Sequence, residues 1–185
     1  RVRRQRQMCI RDSLNDFHLN VAGEYVYDGA LYACQSDDAK QRRSKRAVWG
    51  MAAILTVAVA AGGCIPAPGM QNCFYVLLPY LGEFLGAASV IWALAKLGMD
   101  WGAVREYNYK KSVAVLPVRT AVTAVFSLLG IVCELIFFFV NDHAGQTFFA
   151  LLYVLLKLIA LLSVLVLRAE IMQAEWDKLP KKNNF

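Results

Sequence analysis

The chain has little from which to build a metal site or a catalytic centre. Its only histidines are His18 and His143, and its 185 residues contain no CxxC, CxxxxH or HExxH motif. Zinc ligands normally occur at such spacings, so we expect no metal, no cofactor and no enzymatic activity. Charged residues make up only 18% of the chain and apolar residues 58%. Soluble domains contain about 45–50% apolar residues, so the composition favours a membrane protein.

The apolar residues lie in four long segments. They cover residues 47–65, 74–97, 120–140 and 147–167. Each segment is long enough to cross a hydrocarbon core of ~30 Å at ~1.5 Å of helix per residue. We therefore predict an all-α integral membrane protein, built as a four-transmembrane-helix bundle that occupies residues 47–167.

Two of the connecting loops, 63–72 and 141–146, contain no Lys or Arg. Fourteen of the 20 Lys and Arg lie on the other side of the segments, in the N-terminal flank, the middle connection and the C-terminal tail. Basic residues accumulate on the cytoplasmic side of membrane proteins. We therefore expect a multi-pass protein of a bacterial plasma membrane, with both termini in the cytoplasm.

The first thirteen residues differ from the rest of the chain. Residues 3–12 resemble an in-frame translation of a sequencing-library adapter, so we expect residues 1–13 to be an artefact of that origin. The alternative is a basic arm for nucleic acid or anionic lipid. Without these residues the formal net charge falls from +6 to +2, since five Arg and one Asp are removed. We therefore expect no nucleic-acid partner.

The N-terminal region, residues 14–46, contains a strand-like pattern. Residues 24–33 alternate on either side of Asp28 and Gly29, and an Asp-Gly pair is typical of a type I′ β-hairpin. In that register Tyr25, Tyr27 and Tyr32 share one face. We predict a short cytoplasmic hairpin here.

The C-terminal tail, residues 168–185, continues the helical pattern of the last segment. Its apolar residues recur at helical spacing up to Pro180, namely at Ile171, Met172, Trp176 and Leu179. The spacing predicts an amphipathic helix lying in the membrane surface.

Small residues predict close helix packing in the first two spans. The second span contains a GxxxG motif formed by Gly82 and Gly86, and the first repeats small residues every four positions. Small side chains let helix backbones approach each other in lipid, so we predict that these two spans form a closely packed pair. Cys64 and Cys73 flank the loop between them; they either form a disulfide, if the loop faces an oxidising space, or are two unpaired thiols.

Three ionisable residues lie inside the spans: Glu83, Glu134 and Lys157. A charge that faces lipid near the middle of a bilayer costs ~2.5–3.5 kcal/mol or more, so we expect all three to point into the bundle and to meet. We also expect Tyr153 to donate a hydrogen bond to Glu134. The cluster either only holds the helices together or forms a proton or ion relay. One lysine neutralises only one carboxylate, and in the relay hypothesis Glu83 is the protonatable one, because it lies near Pro79 and two glycines.

Two functions agree with these features. The first is a non-enzymatic accessory or scaffold subunit that assembles in the bilayer with a protein partner or with itself. It rests on the absence of catalytic motifs, the tyrosine-bearing hairpin and the amphipathic tail. The second is a small oligomeric transporter or channel, coupled to protons or ions, that uses the intramembrane Glu and Lys residues.

Overall fold

The fold is known from a computed structural model that describes residues 17–19, 25–27, 29–35, 37–98, 101, 103–141 and 147–179. Residues 1–13, interpreted above as an artefact, lie outside these ranges. So do Asp28 of the predicted hairpin, most of the loop 141–146 and the tail from Pro180 onward.

Helices make up most of the described chain. They are α1 (Asp38–Cys64), α2 (Pro68–Asn72), α3 (Phe74–Leu97), α4 (Glu106–Lys111), α5 (Leu116–Val140) and α6 (Thr147–Gln173). Among the described residues, four candidate spans are long and apolar enough to cross a membrane, and they lie on α1, α3, α5 and α6. This confirms the predicted helical fold with four helices of membrane-spanning length.

The four long helices form a ring. Both α1 and α5 contact α3 and α6, so α3 lies diagonally opposite α6. The predicted close pairing of the first two spans is wrong: α1 packs most extensively against α6, and α3 against α5. The reason lies in the direction of the GxxxG motif, because Gly82 and Gly86 both face α5. A Cβ atom at Gly82 would lie 2.5 Å from the ring of Phe126, and one at Gly86 would lie 2.6 Å from Oγ1 of Thr123.

Five short strands form two small sheets at one end of the bundle and in the N-terminal region. The strands are β1 (Phe17–Leu19), β2 (Tyr25–Tyr27), β3 (Leu31–Cys34), β4 (Val104–Arg105) and β5 (Trp176–Lys178). β1 pairs with β2, and β3 lies between β4 and β5. All three pairings are antiparallel.

The hairpin predicted over residues 24–33 is wrong. Strands form on both sides of Asp28 and Gly29, but β2 pairs with β1 and β3 pairs with β4 and β5. A hairpin would pair only one edge of β3, whereas the observed sheet pairs both edges. The observed arrangement thus gives β3 one more pairing than the hairpin would, while β2 is paired by β1.

The prediction of an amphipathic helix in the tail is also wrong beyond the first turn of that helix. α6 ends at Gln173, and Trp176–Lys178 leaves the helix to become a strand. The ring of Trp176 lies 5.8 Å from Trp101 and 5.9 Å from Tyr109, centre to centre. These aromatic contacts and the hydrogen bonds to β3 hold Trp176 in the sheet. Helical spacing had predicted that it lies at the membrane surface.

The two ends of the bundle differ in how they are closed. At one end, here called the sheet end, the three-stranded sheet joins the N-terminal flank, the connection between α3 and α5, and the tail after α6. At the other end, here called the α2 end, α2 packs against α3, α5 and α6. All three segments that the sheet joins carry basic residues.

A cysteine pair can test the register of the sheet. Cys34 and Trp176 are Cα partners, and the neighbouring hydrogen bond from Gln35 N to Glu175 O makes them a non-hydrogen-bonded pair. Such pairs have Cα atoms ~4.5 Å apart, which suits a disulfide. In a chain that keeps only Cys34, we expect Trp176→Cys to form an intramolecular disulfide under mild oxidation, detected by gel mobility without reductant.

Asp177→Cys is the matched control, because it changes the adjacent residue and turns the thiol to the opposite face of the strand. Equal crosslinking of both variants would contradict this register.

Candidate functional site

The three ionisable residues of the spans meet in the interior of the bundle. Glu83 on α3 and Glu134 on α5 are both 0% exposed, and Lys157 on α6 is 2% exposed. The Nζ atom of Lys157 donates a hydrogen bond to Oε2 of Glu83 and forms an ion pair with it. Because α3 and α6 are diagonal partners in the ring, this ion pair crosses its centre.

Two tyrosines place their rings beside the Lys157 ammonium group. Its Nζ atom lies 4.6 Å from the ring centre of Tyr80 and 5.1 Å from that of Tyr153. A cation over an aromatic face is stabilised by ~0.5–2 kcal/mol, more when it is desolvated. The Tyr80 hydroxyl also donates to the Val59 carbonyl of α1 at 3.4 Å. The cluster therefore connects all four long helices.

Glycines provide the space for these large side chains. A Cβ atom at Gly130 would lie 3.6 Å from Nζ of Lys157, and one at Gly62 would lie 3.9 Å from the Tyr153 ring. At Gly63 a Cβ would overlap the Tyr80 hydroxyl, and at Gly69 it would overlap Oε2 of Glu134. The cluster therefore depends on the close approach of the backbone at these glycines as well as on the side chains.

Sequence reasoning missed Tyr80, Gly130 and Gly69 as members of the site. For two of them, the sequence contains a spacing that could have identified them. Tyr80 precedes Glu83 by three residues and Gly130 precedes Glu134 by four, so each pair shares one helix face. Gly69 had none, because it lies on the short helix between two spans and meets Glu134 only through the tertiary fold.

Glu134 is buried without an ion-pair partner of its own, although it interacts with the charge of Lys157 at longer range. Within the described part of the chain, neither of its carboxylate oxygens has a hydrogen-bond partner, although the backbone N–H of Gly69 faces the group. The hydroxyl of Tyr153 is also buried without a partner, so the hydrogen bond expected between Tyr153 and Glu134 is not formed. Lys157 pairs with Glu83, the carboxylate expected to be protonatable. The pairing therefore leaves Glu134, not Glu83, as the uncompensated group.

The cluster lies nearer to the α2 end than to the sheet end. Between the cluster and the sheet end are apolar layers, whose fully buried members include Leu55, Val164, Val48, Leu94 and Leu167. On the other side, α2 covers the cluster with two buried residues, Pro68 and Gly69. Glu134 is six residues, or ~9 Å, from the end of α5.

Known proteins offer no guide to this site. No family model, curated protein or solved structure matches the chain. The function is therefore inferred from the geometry of the bundle alone.

The remaining predicted site residues lie apart from the cluster or beside it. Cys64 and Cys73 are both free thiols, Cys64 exposed and Cys73 half-buried, so the structure contains the unpaired alternative rather than the disulfide. Gly82 flanks Glu83 on α3 and, with Gly86, packs against α5. No group of three or more His, Cys, Asp or Glu among the described residues is arranged to hold a metal ion.

Proposed function

We propose that this chain is a non-enzymatic membrane protein that acts as an accessory or scaffold subunit, with the outer face of α1 packed against a transmembrane helix of its partner. Two sequence features behind this hypothesis, the hairpin and the amphipathic tail, are not formed. The proposal is supported instead by the outer face of α1. Its exposed residues at helical spacing are Gly50, Ala53, Val57, Ala60 and Cys64, and the only exposed large apolar side chains described on this helix are Ile54 and Val57.

The other three long helices present a different outer surface. Each of them exposes many more large apolar side chains than α1 does, for example Leu85 and Trp92 on α3, Phe139 on α5 and Leu162 on α6. Such side chains suit contact with lipid tails. Small side chains gain little from lipid, but they let a second helix approach closely and add dispersion contacts. The contrast therefore favours α1 as the helix that meets a partner.

A bulky side chain on α1 tests this proposal. We expect Ala60→Leu to weaken co-purification with the partner by about tenfold or more, because overpacking a close interface costs ~1–3 kcal/mol. The measurement is the yield of a stoichiometric complex, or of a dimer, after extraction from the native membrane in mild detergent.

The matched control is Ala88→Leu, since Ala88 is exposed on α3, among large apolar side chains. This control should leave the complex intact. An assembly that tolerates Ala60→Leu as well as Ala88→Leu contradicts the proposal, and so does a wild-type chain that is monomeric and alone.

The second candidate function, a small oligomeric transporter or channel coupled to protons or ions, is favoured by one observation. Glu134 is fully buried with no countercharge of its own, and a carboxyl that gains and loses a proton is what coupling requires. Proton or ion flux into vesicles that contain only this chain, lost in Glu134→Gln, would favour this function over the first.

We further propose that the sheet end faces the cytoplasm, in the plasma membrane, with both termini on that side. The support is the meeting of the three basic segments in one sheet, which agrees with the distribution of Lys and Arg in membrane proteins. We expect a single cysteine at position 111, introduced by Lys111→Cys, to react with an impermeant maleimide only after the cells are permeabilised. Labelling of intact cells would contradict this orientation.

A further inference from the structure

Unpartnered polar atoms are concentrated in the charge cluster. Among the described residues, the buried side-chain oxygens without a hydrogen-bond partner are Glu83 Oε1, both carboxylate oxygens of Glu134 and the Tyr153 hydroxyl. The Tyr153 phenol lies within electrostatic reach of both carboxylates. Buried polar groups are nearly always paired, so four unpartnered oxygens in one place indicate that the cluster binds something more.

The charges and donors of the cluster define what that ligand is. Glu83 and Glu134 carry two negative charges, and Lys157 supplies one positive charge, which it shares with Glu83. Ionised carboxylates can only accept hydrogen bonds, so the cluster lacks one positive charge, and its three unpartnered carboxylate oxygens outnumber the one unpartnered donor, the Tyr153 hydroxyl. A proton supplies the charge and a second donor at once. A metal cation would supply the charge but no donor, and it would be repelled by the nearby Lys157 ammonium.

We propose that Glu134 binds a single exchangeable proton, and that this proton reaches it from the α2 end of the bundle past Gly69. The proton comes from water at that end and converts the carboxylate to a neutral carboxylic acid. The new O–H group can then donate to an oxygen acceptor in the cluster. This site deepens the second candidate function and is independent of the first.

The route follows from what surrounds the cluster. Toward the sheet end, the apolar layers around Leu55 and Leu94 separate Glu134 from water. The hydroxyl groups buried on that side all donate to helix carbonyls; they belong to Thr120, Thr123, Ser127 and Ser163. Toward the α2 end, Gly69 lies directly against Glu134 and has no side chain. The titratable groups that interact with Glu134 are Tyr75 on α3 and Tyr153 and Lys157 on α6. Glu83 on α3 and Cys133 on α5 face the same cluster through their interactions with Tyr153.

Infrared spectroscopy of the full chain in lipid nanodiscs tests for the bound proton. At neutral pH we expect the wild-type protein to show the carbonyl band of a protonated carboxylic acid that shifts in D₂O. Glu134→Gln should lose this band. Glu83→Gln should lose it too, because Lys157 can then pair with Glu134 and ionise it. Glu170→Gln is the control that keeps it, since Glu170 accepts a hydrogen bond from Ser44 outside the cluster.

Several outcomes would overturn the proposal. They are a wild-type protein without the acid band, a band that survives in Glu134→Gln, and a band that appears only when sodium is removed. The last would mean that sodium, not a proton, occupies the site. Circular dichroism checks that each variant folds. If Glu134→Gln does not fold, Glu83→Gln still tests whether two carboxylates beside one lysine require a bound proton. The band is measured without a partner or a flux, so its absence is distinguishable from failure of either function.

A pair of glycine variants tests the route. Gly69→Ala places a methyl group where Oε2 of Glu134 now lies, and we expect it to slow exchange of the acid band in D₂O several-fold. Gly62→Ala is the control, because its nearest contact would be an ordinary 3.9 Å to the Tyr153 ring. Equal rates of exchange of the acid band in the two variants would overturn the proposal that the proton enters past Gly69.

Discussion

Lys157→Met is expected to lower the free energy of unfolding by ~3–5 kcal/mol, the usual loss when one partner of a buried ion pair is removed. Methionine is an unbranched side chain of similar volume to lysine, so packing is largely kept. The loss arises because the Glu83 carboxylate would then be buried in the bundle interior with no cation beside it. The measurement is reversible unfolding in mixed detergent micelles.

A double variant separates charge from packing in this experiment. Glu83→Gln combined with Lys157→Met removes both charges of the pair, so we expect it to recover most of the stability that Lys157→Met loses. Lys96→Met is the matched control, because Lys96 is exposed near the end of α3. If the single Lys157→Met variant unfolds like the wild type, the ion pair contributes nothing to the bundle.

Gly86→Ala is expected to cost ~1–3 kcal/mol, as overpacking of a closely packed interior does. Its Cβ atom would lie 2.6 Å from Oγ1 of Thr123 and 3.3 Å from the Thr123 Cα atom. The hydroxyl cannot move away without loss, because it donates to the Arg119 carbonyl at 2.8 Å. The backbones of α3 and α5 would therefore have to separate. The same unfolding measurement reports the effect.

Gly50→Ala is the matched control for this substitution. A Cβ atom added at Gly50 would have no neighbouring atom within 4 Å, so the extra methyl group meets nothing. Alanine is also a better helix former than glycine, by about 0.8–1 kcal/mol in peptides, so we expect no loss. A loss in Gly50→Ala equal to that in Gly86→Ala would mean that close contact with α5 is not the cause.

The site could be predicted from the sequence only in outline. The high cost of a charge in lipid was enough to expect that Glu83, Glu134 and Lys157 point inward, and the structure brings them into one cluster. The choice of partner was not predictable. At ~1.5 Å per residue both carboxylates come within reach of Lys157, and only the structure shows that the lysine pairs with Glu83 across the ring.

Close helix packing was likewise predictable from the sequence only in part. The GxxxG motif identifies a helix face that admits a neighbour, but it does not say which neighbour. Gly82 and Gly86 face Phe126 and Thr123 of α5, although the small residues of the first span had made α1 the expected partner. A motif on one helix carries no information about the order of helices around the ring.

By itself the sequence determined the helical class, the number of helices of membrane-spanning length and the inward position of the three charges. Hydrophobicity and charge act on each segment separately, so they can be read along one chain. The tertiary structure alone decided that β3 pairs with β4 and β5, that Trp176 leaves the helix for the sheet, and that Glu134 is the carboxylate without a partner. Each of these depends on contacts between residues far apart in the chain, whose energies exceed the local preferences that a sequence pattern records.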